Sequence, residues 1–357
     1  MSVKLVSFII SFLTVSLIAF QGCSKPESYY YEGVGEQKDE LKNLFNLFEK
    51  TEGRSESRFI VIQQIVKILY SSGNNDKLNY FLTTYVENNP DDPFNAYHLL
   101  VVARNYMEQG AYPLAVLYFE RILKNYPDLL IGGKSVHYIC LKELINLVSD
   151  PEVKVNYYKE LIARFGEEID RGLIYYYLAK TYEELGEWDL AMQAYSTFLK
   201  YPDTIVPGVT DVRHKVKVMV DFYNYKQITW TMESLDELVK QVKWAIYRND
   251  VNRLRRYMSK VDFFTMSWEQ KETIADEQFI QNIGVFLNPR VSYSSNLDRD
   301  SNAREAYLKT TGWSYRIITW YLYFRKIHFP ADPEKHGDWE WAGIYFGDKP
   351  FAGGGRS

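Results

Sequence analysis

The chain has 357 residues, a length that favours two domains over one. Its 46% hydrophobic and 25% charged residues exclude general disorder and a protein of many membrane spans. A formal net charge of −4 excludes a surface built for nucleic acid, and two cysteines exclude a disulfide framework or a four-thiolate zinc site. Aromatic residues are the unusual class, at 16% of the chain.

The first residues have the pattern of a targeting segment. Lys4 is followed by an uncharged run over residues 5–20, and Gly22 and Cys23 follow. The run is short for a membrane-spanning helix, which needs about 20 apolar residues, and it suits a signal peptide. Gly22-Cys23 resembles a bacterial lipobox, with Phe20 where that motif prefers Leu. The resemblance implies a signal peptide over residues 1–22 and a lipidated Cys23; an uncleaved anchor and secretion with a free thiol are the alternatives.

The predicted mature chain begins with the lipidated Cys23 and a tether, residues 23–37. Ser24 rather than Asp follows the cysteine, which by resemblance to the lipoprotein sorting rule favours the outer over the inner membrane. We therefore expect a chain that is lipid-anchored in the bacterial cell envelope and faces the periplasm.

Residues 38–226 carry a repeating pattern. Gly73 and Gly110 have the same separation in the sequence as Pro90 and Pro127. Each unit reads as a helix, a tight turn at Gly, a second helix and a stop at Pro. Apolar residues recur every three or four positions on both helices, with the small Ala103 where two helices approach closely.

The pattern resembles the tetratricopeptide repeat, a pair of antiparallel helices. Four units are predicted over residues 59–90, 96–129, 136–165 and 172–202, between a capping helix near 41–48 and a closing helix at 212–223. Four exceed the roughly three repeats that a self-supporting stack needs. The resemblance implies a helical superhelix.

The resemblance also implies a concave groove, formed by the first helix of each pair, that binds proteins or peptides. The residues at these groove positions are Gln63, Lys67, Tyr70, Tyr97, Leu100, Arg104, Met107, Tyr176, Lys180 and Glu183. Rings and Met supply contact area, and the charges fix the register of a bound peptide. In the alternative interpretation, a neighbouring element of the same chain packs on this face.

Residues 227–347 differ in composition, since they hold seven of the eight Trp. Ser234 and Glu237 form a capping box ahead of a helix, and further helices are predicted up to about Phe286. Period-two patterns then predict strands over residues 291–294, 306–311, 315–327 and 338–346. The predicted class is mainly α, with a smaller α+β domain whose helices and antiparallel sheet resemble the NTF2-like fold.

The predicted strands are apolar on both faces. Trp320, Leu322 and Phe324 alternate with Tyr321 and Tyr323, and in the last strand Trp339, Trp341 and Tyr345 alternate with Ala342, Ile344 and Phe346. One face must pack on the helices, which leaves the other for the repeats or for a partner. A pocket for a small ligand is possible at Trp320, Tyr321, Trp339 and Trp341.

Motifs that carry catalysis are missing from the sequence. No phosphate loop, nucleophile elbow or zinc-protease motif occurs, and His328 and His336 lack a third ligand for a metal. Cys140 stands in an apolar run, typical of a buried thiol, and residues 348–357 read as a flexible tail. We expect no enzyme activity, cofactor or metal.

The predicted function is a membrane-anchored scaffold for envelope proteins, of open oligomeric state. Two alternatives remain. Tyr-Pro-Asp at 126–128 and 201–203 resembles repeats of outer-membrane protein assembly lipoproteins, which implies a component of that machinery. The aromatic domain could instead bind a small ligand or lipid.

Overall fold

The structure, a computed structural model, describes residues 27–268, 281–287, 290–314 and 317–349. The chain divides into two compact units between Glu168 and Ile169. The boundary predicted at residues 226 and 227 marks the change from helical hairpins to a sheet, and it lies inside the second unit. Over the described ranges, no helix combines the length and apolar character that crossing a bilayer requires.

The first unit is built from helices joined by short turns. Its described helices are α1 (Ser28–Tyr31), α2 (Lys38–Lys50), α3 (Glu56–Ser71), α4 (Asn75–Asn88), α5 (Asn95–Glu108), α6 (Tyr112–Asn125), α7 (Val136–Leu147) and α8 (Pro151–Phe165). A 3₁₀ turn at Gly35–Gln37 precedes α2, and a two-stranded hairpin of β1 (Leu130–Ile131) and β2 (Lys134–Ser135) precedes α7. Each helix from α2 to α8 contacts the next, which confirms the three hairpins predicted here.

Glycine ends the first helix of the hairpins where the sequence predicts it. Gly73, Gly110 and Gly186 all have a φ of 73°, a left-handed conformation that is strained for residues with a side chain. The N–H of Asn74 donates to the Leu69 carbonyl at 2.9 Å, and Ala111 makes the equivalent bond. These bonds satisfy carbonyls that the helix end would leave unpaired, so the turn both reverses the chain and closes the helix.

The hairpin of α7 and α8 turns by a different device. Asp150 caps α8 by accepting a hydrogen bond from the N–H of Glu152 at 2.9 Å, and Pro151 occupies the first helical position. Proline is favoured there because its missing N–H would have no partner within the helix. The turn predicted at Asp150-Pro151 is confirmed.

The second unit contains the last hairpin and a sheet. Its described helices are α9 (Arg171–Glu184), α10 (Trp188–Phe198), α11 (Val212–Asn224), α12 (Leu235–Tyr247) and α13 (Val251–Tyr257), with a 3₁₀ turn at Ile283–Phe286. Its strands are β3 (Phe264–Ser267), β4 (Ser292–Tyr293), β5 (Glu305–Thr311), β6 (Thr319–Lys326) and β7 (Trp339–Phe346), in the order β3-β7-β6-β5-β4. The predicted α+β class is confirmed. The third helix of this domain, predicted over about residues 270–286, lies mostly outside the described residues, at 270–280.

The start of α9 and the end of the last hairpin are held together. The Thr204 hydroxyl donates to Asp170 Oδ1 at 2.8 Å, and Asp170 also caps α9 through the N–H of Leu173. Gly172 allows this approach, because a Cβ there would lie 2.7 Å from the Cβ of Tyr201. Pro202, where this predicted unit ends, belongs to the turn that makes these contacts.

The sheet is mixed rather than purely antiparallel. β4 to β7 form the predicted antiparallel meander, but β3 pairs in parallel with β7, Phe264 opposite Gly343. The sequence prediction missed β3, a four-residue strand that precedes the stretch where the pattern changes from helical to period two.

A β-bulge changes which side chains share a face. Tyr323 pairs with Gly343 but Phe324 pairs with Trp341, so Ala342 is an extra residue on β7. Trp339 and Trp341 therefore join Ile344 in the cluster against α12, while Ala342 and Tyr345 belong to the opposite face. The strict alternation predicted for this strand is wrong. The alternation of faces predicted for the residues of β6 is confirmed.

Candidate functional site

A concave surface in the first unit lies between α3 and α5, the first helices of two successive hairpins. Five residues of the predicted groove line it: Gln63, Lys67, Tyr70, Tyr97 and Arg104. Helical periodicity brings positions 63, 67 and 70 to one side of α3, and 97 and 104 to one side of α5. The concavity, called the α3–α5 groove below, has a volume of about 330 Å³.

The α3–α5 groove carries two cations that the described residues leave without a carboxylate partner. Lys67 and Arg104 are exposed, and neither forms an ion pair in the described part of the chain. Glu108 is the one carboxylate of the lining, and the Tyr70 hydroxyl donates to its Oε2 at 2.9 Å. This hydrogen bond raises the pKa of Tyr70. The groove therefore offers positive charge to a partner.

The floor of the groove is apolar, with two polar exceptions. Ile62, Val66 and Val101 line it, together with the buried His98 and Asn105. Burial lowers the pKa of His98 to about 4, so the ring is neutral at pH 7. Its Nε2 is buried and has no hydrogen-bond partner among the described residues.

Asn105 joins two helices beneath the groove. Its Nδ2 donates to Asn79 Oδ1 at 2.8 Å and to the Asn75 carbonyl at 3.1 Å, which ties α5 to α4. Buried amides of this kind are stabilising when they are paired, since an unpaired one would lose its hydrogen bonds to water.

Two residues predicted for the groove lie elsewhere. Leu100 is buried and Met107 half-buried, and neither lines the α3–α5 groove. Helix α5 contacts α4, α6 and α7, so more of its circumference is buried than the predicted groove allows.

Three further groove residues line a different cavity, within the second unit. Tyr176, Lys180 and Glu183 of α9 lie on a space of about 410 Å³ that α10, α11 and residues 325–328 also line. Glu183 accepts hydrogen bonds from Lys180 and, at 3.0 Å, from the Tyr195 hydroxyl. This face of α9 therefore shares its cavity with the sheet of the same unit. The arrangement resembles the alternative given for the groove, in which a neighbouring element of the same chain covers this face.

The four aromatic residues of the predicted pocket are part of the packed sheet. Trp320, Trp339 and Trp341 are buried in the cluster against α12, where the Trp320 ring stacks on Trp313 with 4.6 Å between centroids. Tyr321 is buried on the opposite face, with its ring 5.2 Å from Trp268. None of the four lines either concavity. Their rings fill the core instead of enclosing a pocket.

Among the described residues, the remaining candidates form no reactive site. Cys23, proposed for lipidation, and the signal segment lie outside the described residues. Burial raises the pKa of Cys140 to about 12, so its thiol stays protonated and unreactive. The His328 and His336 rings are 5.2 Å apart, but the described residues contain no group of three His, Cys, Asp or Glu placed to hold a metal.

The paired helices, their Gly turns and the groove between first helices are the features of a known repeat. Two segments match the tetratricopeptide repeat family model. They are residues 99–129, which cover α5 and α6, and residues 174–204, which cover α9 and α10. Each unit therefore contains one matched hairpin. Comparison with curated proteins gives no significant match.

Sequence reasoning missed several residues that shape these two concavities. His98, Asn105 and Glu108 complete the groove, and Arg325 and Glu340 line the cavity. The sequence could have indicated Glu340, because a carboxylate between two tryptophans in an apolar strand needs a buried partner. The partner itself lies fifteen residues earlier and follows only from the strand pairing.

Proposed function

We propose that this chain is a non-enzymatic adaptor that holds protein partners at a bacterial envelope membrane. Tetratricopeptide repeats generally bind proteins, and the matched hairpins supply that scaffold. The observation that carries the proposal is the α3–α5 groove, where five residues chosen from the repeat pattern line one concave surface.

The chemistry of the groove indicates the kind of segment that would bind. Tyr97 and the apolar floor offer contact area to apolar side chains, and Tyr70, half exposed, extends the rim. Lys67 and Arg104 would face an acidic side chain of the partner, since neither has a carboxylate of its own among the described residues. An apolar peptide segment with one or two carboxylates fits this surface.

The test places a photo-crosslinking residue at Tyr97 in cells and identifies the captured proteins by mass spectrometry. The double variant Lys67→Glu/Arg104→Glu should reduce capture about tenfold or more, because two attractive charges become repulsive. The matched control is Lys38→Glu/Lys50→Glu, which makes the same charge change on exposed positions of α2. Equal capture by both folded variants would contradict the groove assignment.

The envelope location rests on the lipobox-like Gly22-Cys23, and it has a separate test. A Cys23→Ser variant should lose the mass of the acyl chains from its N-terminal peptide and move from the membrane fraction to the soluble periplasmic fraction. An unmodified Cys23 in the wild type would remove the anchor from the proposal and leave the groove unaffected.

A further inference from the structure

The cavity of the second unit differs from the α3–α5 groove in its walls. Helix α9, helix α11 and the end of β6 surround it, and its volume of about 410 Å³ falls within the range of small-molecule sites, about 300–1,000 Å³. We call it the α9–α11 cavity.

One side of the α9–α11 cavity is apolar. Helix α11, the segment before it and the end of β6 contribute Val209, Val212, Val216, Met219, Phe222 and Ile327. Met219 and Val212 are half-buried and Val209 is about one-third exposed, so part of this apolar surface is open rather than packed. Apolar surface of this kind gains free energy when an apolar group covers it.

The other side holds a buried ion cluster. Arg325 Nε donates to Glu340 Oε1 at 2.8 Å, and Arg325 Nη1 donates to Asp262 Oδ2 at 3.3 Å. Glu340 is fully buried, and the Trp230 indole N–H donates to its other oxygen at 2.9 Å. Burial is the largest single influence on Arg325 and opposes its charge, but the carboxylates of Glu340 and Asp262 together outweigh burial and raise the pKa of the guanidinium. Arg325 is therefore charged at every physiological pH.

One nitrogen of this cluster lacks a partner. Arg325 Nη2 is buried and has no hydrogen-bond partner among the described residues. An unpaired buried donor on a charged group is costly, and such groups are rare in native structures unless a ligand or water pairs with them. Arg325 lines the cavity, but Nη2 itself has no accessible surface there, so an acceptor atom bound in the cavity pairs with Nη2 only if the guanidinium turns toward it.

The charges around the cavity indicate the charge of that acceptor. Four cations (Lys180, Lys215, Arg325 and Lys326) and three carboxylates (Glu183, Asp262 and Glu340) line it, so its Lys and Arg side chains exceed its carboxylates by one. All three carboxylates already accept hydrogen bonds from protein groups. Lys215 donates only to the Thr210 carbonyl among the described residues, at 2.9 Å, so its charge is not neutralised.

We propose that the α9–α11 cavity binds a small monocarboxylate with an apolar body, whose carboxylate accepts a hydrogen bond from Arg325 Nη2 as the guanidinium turns toward the cavity. A single negative charge balances the single excess positive charge, which favours a carboxylate over a phosphate dianion. The apolar body lies along α11. This site is independent of the protein-binding groove in the first unit.

The test is calorimetric titration of the full chain at neutral pH with three probes: decanoate, decanol and acetate. Decanoate should bind, decanol should bind about tenfold more weakly or worse because it lacks the charge, and acetate should not bind because it lacks the apolar body. Equal affinity for decanol and decanoate, or no binding of decanoate, would overturn the proposal.

Variants locate the binding within the cavity. Met219→Trp should abolish decanoate binding by filling the apolar side, and Val209→Phe, at a more exposed position, serves if the first variant does not fold. Lys215→Gln should weaken binding about two- to fivefold. Lys217→Gln is its matched control, because Lys217 is also exposed on α11 but pairs with Asp221 at 2.5 Å and does not line the cavity. Equal effects of the two lysine variants would assign decanoate to a different place.

Discussion

The two compact units differ in how they bury polar side chains. In the first unit Asn79, Asn105 and His98 are buried and neutral. Asp92, the one buried carboxylate in the described part of this unit, accepts a hydrogen bond from the Tyr85 hydroxyl rather than from a cation. In the second unit Arg325 and the fully buried Glu340 form an ion pair beside a cavity. The amide pair fastens two helices without burying a charge, whereas a buried ion pair contributes little net stability for the desolvation it requires. The comparison indicates that the first unit uses buried polarity for packing and the second keeps it for a site.

Breaking the buried ion pair should give the largest effect. Glu340→Gln leaves the Arg325 charge buried with a weaker partner and should lower the free energy of unfolding of the second unit by about 3–5 kcal/mol. Tryptophan fluorescence during urea unfolding reports this unit selectively, because all eight Trp follow residue 168.

A double variant, Arg325→Met/Glu340→Leu, controls for this effect. It should cost clearly less than the sum of Arg325→Met and Glu340→Leu, because no charge remains buried without a partner. Additive losses would show that the two side chains are not coupled.

Protonation of His98 should give the next effect, and it belongs to the first unit. The folded pKa of about 4 lies below the ordinary 6.5, so the unfolded chain binds more protons between these values. The stability that depends on neutral His98 is complete above pH 6.5 and is lost as the pH falls through 4, up to about 3 kcal/mol.

The measurement for His98 compares the wild type with His98→Phe. Unfolding followed by far-UV circular dichroism at pH 7 and pH 4 should show a smaller acid loss in the variant. The Phe ring can keep the contacts that His98 makes with Tyr85 and Phe59, whose centroids lie 5.3 and 5.7 Å away. Identical pH profiles for the two chains would mean that His98 titrates normally.

Gly172→Ala should give an intermediate effect. The new Cβ would lie 2.7 Å from Tyr201 Cβ and closer still to Thr204, so α9 or the following turn must shift, at about 1–3 kcal/mol. Urea unfolding followed by far-UV circular dichroism, which reports the helices of both units, measures the loss. Gly53→Ala is the matched control, since no atom lies within 4 Å of a Cβ built there, and its effect should be near zero.

The smallest effect should come from an ion pair on the surface of the first unit. Arg54 and Asp91 are 2.6 Å apart, but their side chains are 63% and 71% exposed. A double-mutant cycle with Ala at both positions should give a coupling of at most about 0.5 kcal/mol that salt removes. A coupling comparable to that of Arg325 and Glu340 would remove the contrast between exposed and buried pairs.

The helical hairpins could be predicted from the sequence because their signals are local. The turns at Gly73, Gly110 and Gly186 and the cap at Asp150 each involve residues within a few positions of one another. Groove residues such as Lys67 and Arg104 followed from helical periodicity within a recognised repeat. Leu100 did not, because its burial depends on how many helices surround α5.

The sheet and the cavity could be predicted only in part because they depend on distant pairings. The bulge at Ala342 reverses the face of Trp339 and Trp341, and no pattern within β7 indicates it. The lining of the α9–α11 cavity runs from Tyr176 to Glu340, so its members become neighbours only in the folded unit. The sequence prediction assigned Trp320 to a pocket because a large aromatic ring in an apolar strand indicates burial. A packed core and a ligand site both bury such rings, so the pattern does not separate them.

The parallel pairing of β3 with β7 also sets the order in which the second unit can be completed. Phe264 and Met266 bury themselves against the opposite face of the sheet only when β7 is present, roughly 75 residues later in synthesis. At about 5–20 residues per second, that delay lasts several seconds. During this time β3 lacks β7, the strand with which it pairs in the described part of the chain, and can pair with other chains. Translation of the last strand is therefore the event that ends this exposure, and a chain shortened before residue 339 would keep an aggregation-prone edge permanently.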